Sequence, residues 1–220
     1  MLRAEIVSKR YKEKGRQVLN GVNLTLENGE FYAVMGESGS GKSTLLAVLA
    51  GILKPDSGRV LISDKDPGSD EIDIYNLSNE QLSKIHREKL GYVPQGNVFL
   101  KNYTVLENLV TPFLTKDNPE VLRERAYELL DNLGVKELDE RYTFELSGGE
   151  QKRVALARAF MTDPEIVIAD EPTTGLDAST GDIILGFLKS KAEEGKTVIV
   201  ATHDEHVKAY ATRTITTAYH

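Results

Sequence analysis

One stretch constrains the fold of this chain more than any other: Gly36-Glu37-Ser38-Gly39-Ser40-Gly41-Lys42-Ser43-Thr44. It matches the pattern G-x-x-x-x-G-K-[ST] of a phosphate-binding loop. The apolar run 31–35 before it is strand-like and the run 44–50 after it favours a helix, which is the context the motif requires. Its glycines let backbone N–H groups approach phosphate oxygens, and the helix adds the positive end of its dipole. A serine-capped glycine turn is the alternative; the flanking pattern favours a nucleoside triphosphate site.

Two side chains of the loop have the chemistry that a triphosphate needs. Lys42 can reach the β- and γ-phosphates as a point charge, and the Ser43 hydroxyl can ligate Mg²⁺. The loop alone does not distinguish a kinase, a GTPase or a transport motor.

Composition excludes several classes of protein. The net charge of −7 over 220 residues argues against general nucleic-acid binding. The absence of cysteine excludes disulfides and thiolate metal sites and fits a reducing compartment. No run approaches the about 20 apolar residues of a membrane span, and the first residues lack the apolar core of a signal peptide. We therefore expect any work at a membrane to need a partner.

The order of apolar patterns predicts an α/β domain with a helical insert. Strands are expected at 4–11, 18–26, 59–62, 91–95, 166–169 and 197–202, with a polar turn at 12–17 and a polar loop at 64–73. Between 96 and 160 the pattern is helical, with capping residues at Thr104 and Asn118 and no strand candidate. A later helix is expected to be capped by Ser179 and to bury Ile183, Ile184, Phe187 and Leu188.

A second glycine-rich helix start lies at Leu146-Ser147-Gly148-Gly149-Glu150. Ser147 and Glu150 form a capping box, and the two glycines leave backbone N–H groups approachable, which predicts a second anion site. Either this second site binds a different ligand, or it meets a nucleotide that is held by another copy of the protein. A well-capped helix with flexible glycines is the alternative.

Two adjacent carboxylates, Asp170 and Glu171, follow the apolar run 166–169. Ligands of doubly wound sheets bind at the carboxyl ends of such strands. Asp170 is placed to hold Mg²⁺ directly or through water, and Glu171 to orient or deprotonate an attacking water. An acidic loop is the alternative.

Three single residues carry weaker signals. Tyr11 could stack on a purine, although an exposed strand tyrosine is the favoured interpretation. Gln95 could ligate a metal or hold a water but alone would be an ordinary loop residue. His203 could donate to a γ-phosphate oxygen, but a lone histidine at a strand end is more often structural.

The order of these motifs, followed by Leu176-Asp177, resembles the nucleotide-binding subunit of ATP-binding cassette (ABC) transporters from Tyr11 to His203. The resemblance implies a P-loop cassette with a mostly parallel sheet core, an N-terminal antiparallel β subdomain and an inserted helical subdomain. Residues 1–95 and 161–220 would form the first two parts, and 96–160 the third. ATP and Mg²⁺ would be the cofactors.

The resemblance also implies roles for the weaker candidates. Tyr11 would stack on adenine, Gln95 would sense Mg²⁺ and a membrane partner, Glu171 would be the catalytic base, and His203 would contact the γ-phosphate. Two cassettes would pair head to tail, so that Ser147 and Gly149 of one complete the ATP site of the other. The partners would be a second cassette and a transmembrane permease subunit, at the cytoplasmic face of the membrane.

Residues 104–113 and 169–172 resemble the group serving lipoprotein release, macrolide export and antimicrobial-peptide resistance. Pro94 and the segment Thr174-Gly175-Leu176-Asp177 depart from that group's usual residues. The alternatives are a soluble ABC ATPase acting on DNA, ribosomes or cofactor assembly, and a regulator that binds ATP without hydrolysing it. A single cassette without sustained heptads argues against the first, and intact Lys42, Asp170, Glu171 and His203 argue against the second.

Overall fold

Two β-sheets organise the computed structural model, which describes residues 1–11, 16–63, 70–96, 98–114 and 118–217. The first sheet is antiparallel, in the order β2-β1-β4-β5. Its strands are β1 (Leu2–Tyr11), β2 (Arg16–Leu26), β4 (Ser57–Ile62) and β5 (Ile72–Asp73). The predicted end of the turn at 12–17 is wrong, because positions 16 and 17 already pair with β1 as part of β2. Positions 12–15 of this turn and positions 64–69 of the predicted loop lie outside the described residues.

The second sheet is parallel, in the order β6-β7-β8-β3-β9. Its strands are β3 (Phe31–Met35), β6 (Leu90–Val93), β7 (Ile166–Asp170), β8 (Thr197–Thr202) and β9 (Arg213–Thr216). Every residue of β3, β7 and β8 is buried, as expected for parallel strands covered on both faces. Met35 pairs with Thr202 and Asp170 with Ala201, so the carboxyl ends of these strands meet at one edge.

The helices are α1 (Lys42–Leu49), α2 (Asn79–Glu88), α3 (Val105–Val110), α4 (Pro119–Asn132), α5 (Gly148–Ala159) and α6 (Ala178–Glu193). The capping boxes at Thr104 and Ser147 and the Asn118 cap are confirmed. In the described part of 96–160 there are helices and turns but no strand, as predicted. The proposed subdomain boundaries remain a prediction.

Two predictions about α6 are wrong. Its cap is Asp177, whose carboxylate accepts from the Thr180 N–H at 3.0 Å, while Ser179 donates to the same carboxylate. Asp and Ser are both good caps, and the backbone turn decided between them. Ile183 is 40% exposed, whereas Ile184, Phe187 and Leu188 are buried, because the buried residues of α6 recur every three to four positions and Ile183 lies outside that stripe.

Two hydrophobic clusters lie on opposite faces of the parallel sheet. Alternate residues of β3 divide between them: Phe31 and Ala33 pack with α4, α5 and α6, and Tyr32 and Val34 pack with α1 and the antiparallel sheet. The sheet edge that carries the phosphate-binding loop is therefore held from both sides. Across the described ranges, the structure has no helix long and apolar enough to cross a bilayer.

Candidate nucleotide-binding site

The phosphate-binding loop connects the end of β3 to the start of α1, as predicted. Gly39 and Gly41 have φ angles of 78° and 93°, which favour glycine. A Cβ on Gly41 would lie 2.9 Å from Val18 Cγ1, and one on Gly36 would lie 2.3 Å from Thr217 Oγ1. The glycines are therefore required by the loop's conformation and by its close packing against β2 and the chain after β9.

Lys42 is buried within the loop, at 6% exposure. Its ammonium donates to the carbonyls of Gly36 at 2.7 Å and Glu37 at 3.0 Å. The same nitrogen lies 3.8 Å from Glu171 Oε1. A positive charge is thus held between the phosphate loop and the carboxylate that follows β7.

A cavity of about 580 Å³ lies in front of the loop, and the three residues with weaker sequence signals contribute to its lining. Tyr11, Gln95 and His203 all line it, although they lie far apart in the sequence. Tyr11 hydroxyl is 3.4 Å from Thr44 Oγ1. The other lining residues are Val18, Glu37, Ser38, Gly39, Gly41, Lys42, Ser43, Thr44 and Glu171. Val18 is not predictable as a lining residue from the sequence, because an apolar β2 residue carries no chemical signal of its own.

Asp170 ends β7 at 3% exposure, and burial raises the pKa of its carboxyl despite a hydrogen bond with Ser43. Its Oδ1 atom has no hydrogen-bond partner among the described residues. Carboxylate, hydroxyl and amide oxygens are the donors that Mg²⁺ prefers, and Asp170, Ser43 and Gln95 supply one of each. The described residues hold no group of three or more His, Cys, Asp or Glu suited to a metal. Three protein oxygens leave coordination positions that the oxygens of a phosphate could fill.

Glu171 is buried and has an unusual φ of 51°. His203 Nδ1 lies 2.9 Å from its Oε1, and Thr174 Oγ1 donates to its Oε2 at 2.5 Å. Burial raises the pKa of Glu171, but the hydrogen bonds with Thr174 and His203 outweigh it and the pKa is lowered. The carboxylate is therefore ionised at neutral pH. Thr174 carries no site signal in the sequence, because only the turn after β7 brings its hydroxyl within reach of Glu171.

Ser147, Gly148, Gly149 and Glu150 do not line this cavity. The Ser147 N–H and hydroxyl both donate to Glu150 Oε2 at 2.8 Å. Ser147 and Gly148 are exposed, and a Cβ on Gly148 would meet nothing within 4 Å. The open N-terminus of α5 is thus separate from the phosphate loop of the same chain.

A family model described as "ABC transporter" matches residues 19–174, most of the chain. The chain belongs to the ABC transporter family. This ABC cassette is an ATP-binding and ATP-hydrolysing subunit, which confirms the function and fold expected from the order of its motifs.

Similar cassettes are known from archaea and bacteria. The uncharacterized ABC transporter ATP-binding protein MJ0796 of Methanocaldococcus jannaschii is 41% identical over 98% of this chain and 92% of its own length. Its dimeric structure, described as a bacterial ABC transporter cassette, superposes with a TM-score of 0.89 and 38% identity, covering 99% of this chain and 94% of that one. A dimeric post-hydrolysis state of MJ0796 bound to ADP and Pi gives the same TM-score at 39% identity and the same coverage.

Two further relatives match the expected group. The lipoprotein-releasing system ATP-binding protein LolD of Shewanella frigidimarina is 38% identical over 98% of this chain and 89% of its own length. The macrolide export ATP-binding/permease protein MacB of Aggregatibacter actinomycetemcomitans is 41% identical over 90% of this chain but only 30% of its own length. The resemblance to the lipoprotein-release and macrolide-export group is confirmed.

Proposed function

We propose that this cassette hydrolyses Mg-ATP in the cavity before the phosphate loop and drives a separate membrane subunit. The observation that carries the proposal is the convergence on Glu171: Lys42 lies 3.8 Å and His203 2.9 Å from its Oε1. A lysine ammonium and a histidine ring nitrogen beside a buried, ionised carboxylate suit a reaction in which a water attacks a phosphate.

The loop and Tyr11 hold the nucleotide in this proposal. Backbone N–H groups of residues 36–44 bind the phosphates, and Lys42 transfers its hydrogen bonds from the Gly36 and Glu37 carbonyls to phosphate oxygens. Tyr11, which lines the same cavity, stacks on the adenine.

Asp170, Ser43 and Gln95 are the residues proposed to hold Mg²⁺. The unpartnered Oδ1 of Asp170 supports this assignment, because a buried carboxylate oxygen without a donor is costly until a cation reaches it. When bound, Mg²⁺ neutralises charge on the phosphate oxygens.

Glu171 acts as the general base on the attacking water. Its lowered pKa keeps it ionised, and Thr174 and His203 fix the direction of its two oxygens. Lys42 and His203 then stabilise the negative charge that develops on the γ-phosphate.

The second anion site at Ser147–Glu150 completes the pocket of another copy. Within one chain this site lies outside the cavity. The capping box takes the N–H groups of Ser147 and Glu150, so it is the first-turn N–H groups of Gly148 and Gly149 that are available to a nucleotide held elsewhere. The dimeric structures of MJ0796 support a homodimer of this kind.

A groove of about 450 Å³ is the proposed docking site of the membrane subunit. Tyr92, Val98, Phe99 and Arg158 are among its lining residues, and Val98 is 67% exposed. The Arg158 guanidinium lies 5.1 Å from the Phe99 ring centroid, so a cation–π contact joins two of these lining residues. MacB is named as both ATP-binding and permease, and this chain matches 30% of it, so a permease segment is the occupant we propose.

The names of MacB and LolD support export or extraction of macrolide, lipoprotein or peptide-like substrates as the transported class. The cassette would then be peripheral, at the cytoplasmic face of the membrane. Nucleic acid is not an expected partner, given the net charge of −7.

Glu171→Gln tests the mechanism. We expect phosphate release to fall at least about 100-fold, because the general base is lost, while Mg-ATP binding persists and a stable dimer appears in size-exclusion chromatography. Glu193→Gln, at the exposed end of α6, is the matched control and should behave as the wild type. Retained turnover, or a monomer at saturating Mg-ATP, would contradict the proposal.

A further inference from the structure

Two exposed aromatic rings lie just before the second anion site. Phe144 is 69% exposed and Tyr142 43% exposed. Their rings stack with centroids 5.5 Å apart and an angle of 13° between their planes. Aromatic residues are enriched at contact surfaces, where their rings bury a large apolar area.

The pair is held in place before any partner arrives. Residues Thr143–Glu145 form a 3₁₀ turn in which Glu145 Oε2 accepts from the Tyr142 N–H at 2.8 Å. Thr143 is buried, and Tyr142 bridges to Thr104 at the start of α3. Because the turn is already ordered, binding on the outer face of Phe144 costs little conformational entropy.

Phe144 and Ser147 face solvent from one short segment. The side chains of Thr143 and Leu146 anchor the segment in the protein, while those of Phe144 and Ser147 are exposed. Three extended residues span at most about 10 Å, and the 3₁₀ turn at Thr143–Glu145 brings Phe144 closer to Ser147 than that, so both residues lie within the extent of one nucleotide. A nucleotide whose phosphates meet Ser147 can therefore bring its base to Phe144.

We propose that Phe144 stacks on the purine base of the nucleotide held by a second copy of this chain. The inference rests on the head-to-tail pairing in the proposed function and adds a base-binding residue to it. Tyr11 lines the nucleotide cavity. A single stacked ring covers only one face of a base, so in the proposed complex the other face is open to the Phe144 of the second copy. The base would then lie between two aromatic rings from different copies.

The chemistry of the ring predicts a specific pattern of recognition. A phenyl ring offers no hydrogen bond, and stacking tolerates any purine. Phe144 should therefore raise the affinity of the paired state for ATP and GTP by similar factors. It should leave the affinity of a single copy unchanged, because it lies outside that copy's cavity.

The test measures ATP-driven pairing of the Glu171→Gln protein by analytical ultracentrifugation. We expect Phe144→Ala to raise the Mg-ATP and Mg-GTP concentrations at half-maximal dimer formation about tenfold each. Phe144→Trp keeps an aromatic ring, so its two concentrations should equal those of the parent protein or be lower. Tyr103→Ala, which removes an exposed aromatic elsewhere, is the matched control and should leave both unchanged. With Mg-tripolyphosphate, which has no base, the Phe144→Ala and parent proteins should behave alike.

Separate outcomes identify separate failures. If the parent protein does not pair with ATP, the head-to-tail pairing is wrong and the Phe144 proposal fails with it. If it pairs with an unchanged midpoint in Phe144→Ala, only the Phe144 proposal is overturned. The Phe144 proposal would also be overturned if Phe144→Ala no longer co-purified with a membrane subunit while its dimerisation midpoint stayed unchanged. The two rings would then contact the permease and not the nucleotide.

Discussion

Lys152 of helix α5 donates a hydrogen bond to the backbone carbonyl of Glu171 at 3.1 Å. The same ammonium donates to the Thr174 carbonyl. The partial burial of this ammonium lowers the pKa of Lys152. The helix whose first turn carries Ser147 is therefore tied directly to the segment that carries the proposed catalytic base.

Lys152→Met should weaken catalysis without removing a reacting group. Two carbonyls lose a charged donor, so the turn that orients Glu171 loosens, and we expect kcat to fall about tenfold and stability by about 1–2 kcal/mol. Phosphate release and urea unfolding measure the two effects. Lys189→Met, on the exposed face of α6, is the control. A kcat equal to that of the wild type would show that the hydrogen bonds of Lys152 do not position Glu171.

Thr217→Ala should weaken nucleotide binding from behind the loop. Thr217 Oγ1 donates to the Met35 carbonyl at 3.1 Å and lies 2.8 Å from Ser40 Oγ, so it fixes the phosphate loop to the chain after β9. We expect KM for ATP to rise several-fold with kcat little changed, and Thr217→Ser to retain wild-type behaviour. Thr214→Ala, an exposed β9 residue, is the control. A change in kcat alone would rule out this role.

Asp170→Asn should stabilise the nucleotide-free protein and abolish its response to Mg²⁺. Burial raises the folded-state pKa of Asp170, so the folded protein binds this proton more tightly and its stability declines as pH rises through that pKa. At pH 7 the variant should therefore melt at a higher temperature than wild type, and the difference should shrink in acid. Calorimetry without ATP measures the two melting temperatures. With ATP present, adding Mg²⁺ should stabilise the wild type further but not Asp170→Asn. A lower melting temperature at pH 7 would contradict the prediction.

Asp182→Asn should lower the pKa of His206. The hydrogen bond between His206 Nε2 and Asp182 Oδ1, at 2.7 Å, raises the pKa of this imidazole. The charged pair favours folding below the unfolded-state pKa of histidine, about 6.5, and this contribution is lost as pH rises through the folded-state pKa. NMR titration of the imidazole measures the shift, with Glu205→Gln as the control. An unchanged His206 pKa in Asp182→Asn would refute the assigned cause.

Local patterns were sufficient for several elements. The capping boxes at Thr104 and Ser147 formed as predicted, because each involves residues three apart in the chain. The buried strand before Asp170 was also predicted, because a short continuous apolar run is typical of a parallel strand that is covered on both faces. The cap of α6 was not predicted, since Asp177 and Ser179 are equally good candidates and only the path of the turn selects one.

Long-range contacts were beyond the reach of pattern alone. Tyr11, Gln95 and His203 each had an ordinary alternative interpretation, and it is the shared cavity that groups them. The contacts of Lys152 with Glu171 and of Thr217 with Ser40 join residues 19 and 177 positions apart. No spacing rule links such pairs, because their distance depends on how two sheets and several helices pack.

The amino-acid order by itself determined that the chain has a triphosphate loop, a second glycine-rich helix start and a buried strand ending in two carboxylates, because each depends on residues within one turn or one strand. Only the tertiary structure decided that Glu171 is buried, ionised and in contact with His203, and that Ser147 lies outside the cavity of its own phosphate loop. The reason is physical: a carboxylate's protonation and a helix end's exposure are set by what packs around them, and those neighbours come from distant parts of the chain.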